Sequence, residues 1–310
     1  MTFIIITIAL ALELMFVHFE RIKGFGWISG YRDKVIGIFK SGKWDGPVGV
    51  LAILFVPVAA MAWLQTSDFY KNSMFGLAGI IIGVFVLAYC LRYRPMDQAI
   101  DGLVIEDGSD KDTLDANEMA AMQEILGQKE PPTQHRYSIL TEAVLVQANE
   151  RLFSVLFWFL IFGPAGALAY RICWYLNEYP LDPGPVESGD DDIDAASYRL
   201  FGILSWVPAR ISAAGYALAG HFEDALNGWS EQRVGSQYDF CKSNNAVLGK
   251  AGMGALHISR YESIVESEDE PVDKMVNADA VRAARALVLK TLLLGCTIIA
   301  LVTLTGWFVA

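Results

Sequence analysis

QANERLFSVLFWFLIFGPAGALAYR, residues Gln147 to Arg171, and YRLFGILSWVPARISAAGYALAGHFEDALNGW, residues Tyr198 to Trp229, decide how this chain is read. Both are long apolar runs. Each carries an arginine, Arg171 or Arg210, and an interruption, Gly163-Pro164-Ala165-Gly166 or Pro208. A charge and a broken helix are both costly in hydrocarbon, because neither the ion nor the freed backbone groups find water there. They are therefore more informative than the leucines around them. Arg171 closes its run where a long cation can snorkel to the interface, and Arg210 lies on a helix expected to break at Pro208.

The rest of the chain agrees that these runs belong in a membrane. Hydrophobic residues make up 54% of the 310, with 8 Trp and a mean hydropathy of +0.35, more apolar surface than one soluble core uses. The formal charge of -11 excludes a nucleic-acid partner, since a phosphate-binding surface needs clustered Lys and Arg. Cys90, Cys173, Cys241 and Cys296 are scattered without CxxC or His pairing, so neither a zinc site nor a disulfide framework is indicated.

Working outward, residues 1–17 (MTFIIITIALALELMFV) read as a retained membrane helix carrying one acid, Glu13. Residues 18–47 hold Arg21, Lys23, Arg32, Lys34, Lys40 and Lys43, which by the positive-inside rule makes this loop cytoplasmic. Within it GIFKSGK (37–43) matches G-x-x-x-x-G-K, but Trp44 stands where a P-loop needs Ser or Thr; a basic surface segment is the better reading. Residues 48–64 and 74–91 form a membrane hairpin, and Arg92 and Arg94 return the chain to the cytoplasm.

Gly108 to Asp112 reads as an acidic loop, and residues 113–126 as a helix with Leu114, Ala121, Met122, Ile125 and Leu126 on one side. A second helix starts near Thr133 and keeps the stripe Tyr137, Leu140, Val144, Ala148 into the apolar run. On it Glu142 and Glu150 share a face but lie about 12 Å apart, too far for a carboxylate dyad. Residues 178–194 contain seven acids and no Lys or Arg, whereas 221–283 carry six basic residues. Residues 286–309 form the last span.

The fold class expected is thus an all-α, polytopic membrane helix bundle with four transmembrane helices and two central intramembrane or re-entrant segments. Its parts are 1–92, membrane helices with a basic cytoplasmic loop; 93–150, an acidic cytoplasmic helical segment; 151–220, the central segments; 221–283, cytoplasmic; and 284–310, the C-terminal helix. Both termini are expected in the periplasm. The Gly- and Ala-rich face from Gly202 to Gly220 suits close helix packing, including against a second copy in a homodimer.

NERLFSVLFWFLIFGPAGALAYR (149–171) and LSWVPARISAAGYALAGHFEDALNGW (204–229), with FERIKGFG (19–26) and EPVDK (270–274), resemble the AmpE family of inner-membrane proteins associated with β-lactamase induction. The wider family includes CobD/CbiB, membrane ligases of cobalamin assembly that join cobyric acid to an aminopropanol phosphate with ATP and Mg²⁺. Against the ligase pattern Glu13 matches a first-helix acid, but Val17-His18-Phe19 replace Gly-Asp-Pro. TEAVLVQANE (141–150) keeps Glu142 and Glu150 and loses the central Glu-Asn to Val146-Gln147. Tyr170-Arg171 stand for Tyr-Lys, Trp174 and Asn177 for Asn and Asp, and Phe201 to Ser205 for D-D-x-x-N. Val207-Pro208-Ala209-Arg210 survive, as do Ser243-Asn244 of S-P-N and the glycines of AGMGAL (251–256).

What the resemblance implies is a retained pocket framework with most metal ligands replaced. A non-catalytic regulator or sensor follows, with Glu13, Glu142, Glu150, Arg171, Arg210 and Asn244 as ligand-binding candidates and no residue assigned to catalysis or metal. A fork of donors at Arg210 suits an anionic ligand, phosphate or carboxylate. The family association makes a cytoplasmic AmpD-type amidase a candidate partner. Mg²⁺ and ATP belong only to the alternative, a CobD/CbiB-like ligase.

Overall fold

A computed structural model describes residues 2–15, 26–38, 46–67, 77–93, 96–101, 116–126, 136–181, 193–231, 239–258 and 278–305. Its helices are α1 (Thr2–Met15), α2 (Gly26–Ile38), α3 (Pro47–Thr66), α4 (Leu77–Cys90), α5 (Ala116–Leu126), α6 (Arg136–Ala148), α7 (Ser154–Glu178), α8 (Ile193–Ala219), α9 (Phe222–Glu231), α10 (Phe240–Ala255) and α11 (Ala278–Leu304). A π-helical turn, Asn149–Phe153, joins α6 to α7. Among the described residues there is no strand, and the protein is an all-α membrane helix bundle. The expectations for GIFKSGK beyond Ile38, for Gly108 to Asp112, for most of the acidic loop and for EPVDK fall outside the described residues.

Among the described residues three stretches are long and apolar enough to cross a bilayer: Pro47–Thr66, Tyr137–Glu178 and Asp279–Leu304. At 1.5 Å per residue the 20 residues of α3 span about 30 Å, the thickness of the hydrocarbon core. The 14 residues of α1 and of α4 reach only about 21 Å. The first central run does not end at Arg171 as the charge suggests. Helix continues to Glu178, and the segment from Tyr137 to Glu178 is 42 residues long.

The chain divides into two compact units, residues 1–91 with 154–205, and residues 92–153 with 206–310. In the first, α4 packs on α1 and α7, and α3 packs on α7 and α2. The stripe Ile5, Ile6, Ala9, Leu10 turns α1 inward at spacings of one helical turn, and Glu13 occupies the next position on it, 3% exposed. In the second unit α6 is central, touched by α5, α10 and α11, while α9 lies against α10. Leu140, Val144 and Ala148 bury the face of α6 that their spacing predicts, and Met122 and Ile125 do so for α5.

Helix–helix distance in this second unit is set by glycine. A Cβ on Gly254 would lie 2.7 Å from the Asp224 carbonyl carbon and 2.9 Å from Ala225 Cα, and one on Gly228 would meet the Lys250 backbone at 3.0 Å. Backbone cannot yield as a side chain does, so α9 and α10 can approach this closely only with glycine at both crossings. Gly215 on α8 packs against Thr291, and Gly220, just beyond its end, against Ala255, so these two glycines of the face proposed for self-association make contacts within the chain.

Candidate ligand site

The two interruptions that drew attention in the sequence behave differently. At the first the helix breaks: Gly163 has φ 64 and ψ -152, outside the reach of most L-residues, and Pro164 restarts the helix without an N–H. The break leaves backbone groups unpaired, and α3 supplies the remedy. Gln65 Nε2 donates to the Phe162 carbonyl at 3.2 Å, and the Ala165 N–H donates to Gln65 Oε1 at 3.3 Å. One amide thus serves both sides of the gap, beside an open, mainly apolar groove of about 600 Å³ lined by Val58, Ala62, Phe162 and Ala169.

At the second interruption the expectation fails. α8 runs unbroken from Ile193 to Ala219 with Pro208 inside it. A proline in a helix removes the hydrogen bond to the carbonyl four residues earlier, here Leu204. The indole Nε1 of Trp158 donates to that carbonyl at 3.1 Å, which satisfies the group the proline would have orphaned. The neighbouring Tyr170 and Ser205 hydroxyls share a hydrogen bond of 3.2 Å. Neither Gln65 nor Trp158 stood out in the sequence; the only signal was a polar or donor-bearing side chain inside a long apolar run.

Arg210 and Asn244 are 34 residues apart in the chain, and the fold brings them together. Arg210 Nη1 donates to Asn244 Oδ1 and, at 3.2 Å, to the Trp206 carbonyl; Nη2 donates to Ser243 Oγ at 3.2 Å. The guanidinium also lies over the Trp206 ring, 4.7 Å from its centroid. α10 presents Ser243 and Asn244 from its first turn, where Asp239 caps the helix by accepting the Lys242 N–H at 3.1 Å. Among the described residues of this unit no carboxylate pairs with Arg210.

Other arginines of the same unit do have acids. Arg151, 4% exposed, bonds Glu124 Oε1, the Glu124 carbonyl and Gln147 Oε1, and thereby ties α5 to the π-turn. Arg285 holds Asp97 through two nitrogens, at 2.6 and 3.0 Å, and also contacts Asp101. Burial, with Asp97 nearby, pushes the phenol of adjacent Tyr93 up from its ordinary range.

The remaining candidates are distributed. Glu150 is buried on the π-turn, whose Asn149 Oδ1 accepts from Ser212 Oγ at 2.9 Å, and Tyr216 one turn further on donates to the Leu145 carbonyl at 2.8 Å. π-turns recur at functional sites because the inserted residue shifts the register of side chains beyond it. Glu142 lies on the exposed face of α6, against Gly249, where a Cβ would come within 2.7 Å of its carboxyl carbon. Arg171 does not snorkel: it is fully buried, its guanidinium 3.7 Å from the centroid of the Trp174 ring. Arg171 and Glu13 both lie in the first unit, whereas Glu142, Glu150, Arg210 and Asn244 lie in the second. Among the described residues no three His, Cys, Asp or Glu side chains are grouped so as to hold a metal ion.

One further cluster escaped the sequence reading. His257 follows α10 in the left-handed region (φ 64), its Nδ1 contacts the Asp224 carboxylate, and its ring lies 3.3 Å, centroid to centroid, from that of His221. With the His221 N–H donating to the Ala255 carbonyl at 3.0 Å, it closes the corner between α8, α9 and α10.

These features define a helical membrane protein with a broken intramembrane helix and an arginine held by amide and hydroxyl groups in place of acids. The family model described as "Regulatory signalling modulator protein AmpE" matches residues 45–309, and the chain belongs to the AmpE family. It is 27% identical over 161 residues to Protein AmpE of Shigella flexneri, covering 49% of this chain and 47% of that one. It is also similar to proteins named cobalamin biosynthesis protein CobD. The match in Chromobacterium violaceum is 34% over 125 residues (38% of this chain, 36% of the relative), and that in Stutzerimonas stutzeri is 32% over 118 residues (38% and 37%). The matches thus span about half or less of these curated relatives. No solved structure matches the chain.

Proposed function

We propose that the protein is a regulatory or sensory component of the bacterial inner membrane, of the AmpE type, acting in β-lactamase induction and cell-wall recycling by binding an anionic ligand without catalysis. Membership of a family described as a regulatory signalling modulator supports the role. The observation that carries the ligand class is Arg210: half-buried, without a carboxylate partner among the described residues, and oriented by Ser243, Asn244 and the Trp206 ring. A cation so held can offer charge-assisted bonds to a phosphate or carboxylate. The test is calorimetric titration of the purified protein with inorganic phosphate and with a muropeptide. Arg210→Gln should weaken binding about 10- to 100-fold, the worth of a bond to a charged group; equal affinity in wild type and variant would refute the site. Loss of the gene should change β-lactam induction, and copurification of an AmpD-type amidase would identify the cytoplasmic partner.

The same proposal places the termini in the periplasm and divides the chain at 92, 150, 220 and 283. A reporter fused near Gly189 decides the central segments: periplasmic activity means that both cross, giving six spans, and cytoplasmic activity means four spans with two re-entrant or interfacial segments.

A second reading, an ATP- and Mg²⁺-dependent ligase, is favoured by the local identity to the CobD proteins. The described residues do not supply a grouped metal-ligand set for it, and Glu142 is on an exposed face while Glu150 is buried on the π-turn. Mg²⁺-dependent nucleotide turnover by the purified protein would establish it.

A further inference from the structure

α9 is ten residues long, yet its side chains divide it into three faces rather than two. With about 100° between successive residues, Ala225 and Gly228 fall on one side, and both are buried, the Gly228 backbone close against Lys250. Roughly 100° round the helix come Phe222, Leu226 and Trp229, at spacings i, i+4 and i+7. Phe222 is 54% and Leu226 42% exposed, and Trp229 is half-exposed. A further 100° round lie Glu223, Asn227 and Ser230, all exposed. A helix docked on a soluble protein needs two faces, one for the core and one for water. Here the third face is aromatic and aliphatic and, among the described residues, is left uncovered.

The uncovered row also has a predecessor. On α8 the exposed apolar side chains Val207, Ile211, Ala214 and Leu218 recur at i, i+4, i+7 and i+11, and after the corner at Gly220 and His221 the next helix again exposes apolar side chains, from Phe222 on. An outward apolar row on a helix of a membrane bundle faces lipid, and the row on α9 extends it to residues whose other exposed side is charged and polar. Phe and Trp beside an acidic and amide face are the side chains that settle where acyl chains give way to headgroups.

We propose that α9 lies in the membrane–water interface, its Phe222–Leu226–Trp229 row inserted among the lipid acyl chains, its Glu223–Asn227–Ser230 row in water, and its Ala225–Gly228 side holding α10. The occupant of the apolar face is lipid. Recognition is by hydrophobic partition and not by charge, because the acids Glu223 and Asp224 of the first turn do not attract anionic headgroups. Since α10 presents Ser243 and Asn244 to Arg210, this placement anchors one wall of the proposed ligand site to the bilayer surface, but it does not depend on that site being occupied.

The test uses the full-length protein in proteoliposomes of phosphatidylethanolamine and phosphatidylglycerol, carrying Cys296→Ser because the other cysteines are buried. Single cysteines replace Phe222, Leu226 and Trp229 in one set and Glu223, Asn227 and Ser230 in the other, each labelled with an environment-sensitive fluorophore. The first set should be quenched by lipid bearing a nitroxide near the headgroup and protected from aqueous iodide; the second set should show the reverse. Iodide quenching of the first set equal to that of the second would overturn the proposal. So would protection from both quenchers, which would mean that protein, a second copy or another partner, covers the face. A variant that does not fold is dropped, because any two positions of a row decide the outcome.

Discussion

Replacing Gln65 by methionine tests the account of the broken helix. Methionine keeps the length and most of the volume of the side chain but removes both polar atoms, so the groove stays filled while the Phe162 carbonyl and the Ala165 N–H lose their partners. The two bonds, 3.2 and 3.3 Å, are at the long end of the useful range. Side-chain hydrogen bonds within membranes average about 0.6 kcal/mol and reach about 1.7, so losing two should cost ~1–3 kcal/mol. The assay is reversible unfolding in mixed micelles of sodium dodecyl sulfate and a non-ionic detergent, followed by circular dichroism. A second substitution distinguishes loss of these bonds from loss of packing. Pro164→Ala supplies a new N–H at the gap and lets the helix close on itself, so in that background Gln65→Met should cost at least ~0.5 kcal/mol less, a coupling readable from the double-mutant cycle. Additive effects, or a single-variant cost below ~0.3 kcal/mol, would refute the claim that Gln65 completes the backbone of α7.

The same logic applies to Trp158. Trp158→Phe removes the donor to the Leu204 carbonyl and should cost ~1 kcal/mol in the same unfolding assay, less when Pro208→Ala restores the helix's own bond. Gly254→Ala forces a methyl into the Asp224 and Ala225 backbone and should destabilise by ~1–3 kcal/mol, with faster hydrogen exchange confined to α9 and the end of α10. Arg151→Met should destabilise by ~1–3 kcal/mol, since Arg151 is buried while its partner Glu124 is one-third exposed and can be re-solvated. Adding Glu124→Gln should recover part of that loss. Tyr93 is held protonated by burial and by Asp97. Its pKa is raised in the folded state, so above the ordinary tyrosine value, about 10, the unfolded chain ionises first and stability falls as pH rises. Tyr93→Phe should flatten that alkaline loss, measured as melting temperature against pH.

The membrane character of the chain and its helices were legible in residue order because hydropathy and helical spacing are local properties. The buried stripes of α5 and α6 follow the periods read from Met122, Ile125, Leu140, Val144 and Ala148, and the break at Gly163-Pro164 follows from backbone chemistry alone. Proline at 208 carried the same local signal and misled, because whether a proline breaks a helix depends on whether another element can bond the carbonyl it orphans. Trp158 does so from 46 residues away, and Gln65 reaches the other break from nearly 100.

Arg210 and Asn244 were both candidates, but nothing in their separation of 34 residues says that they touch. Charge type could not show that Arg151 and Arg285 face acids while Arg210 faces an amide, a hydroxyl and an indole. Composition and spacing therefore settle which segments leave water and in what conformation, since each residue's transfer cost and backbone preference travel with it. The partners of the buried polar groups were decided only by tertiary packing, because a hydrogen bond is a distance and an angle between residues that the chain order keeps apart.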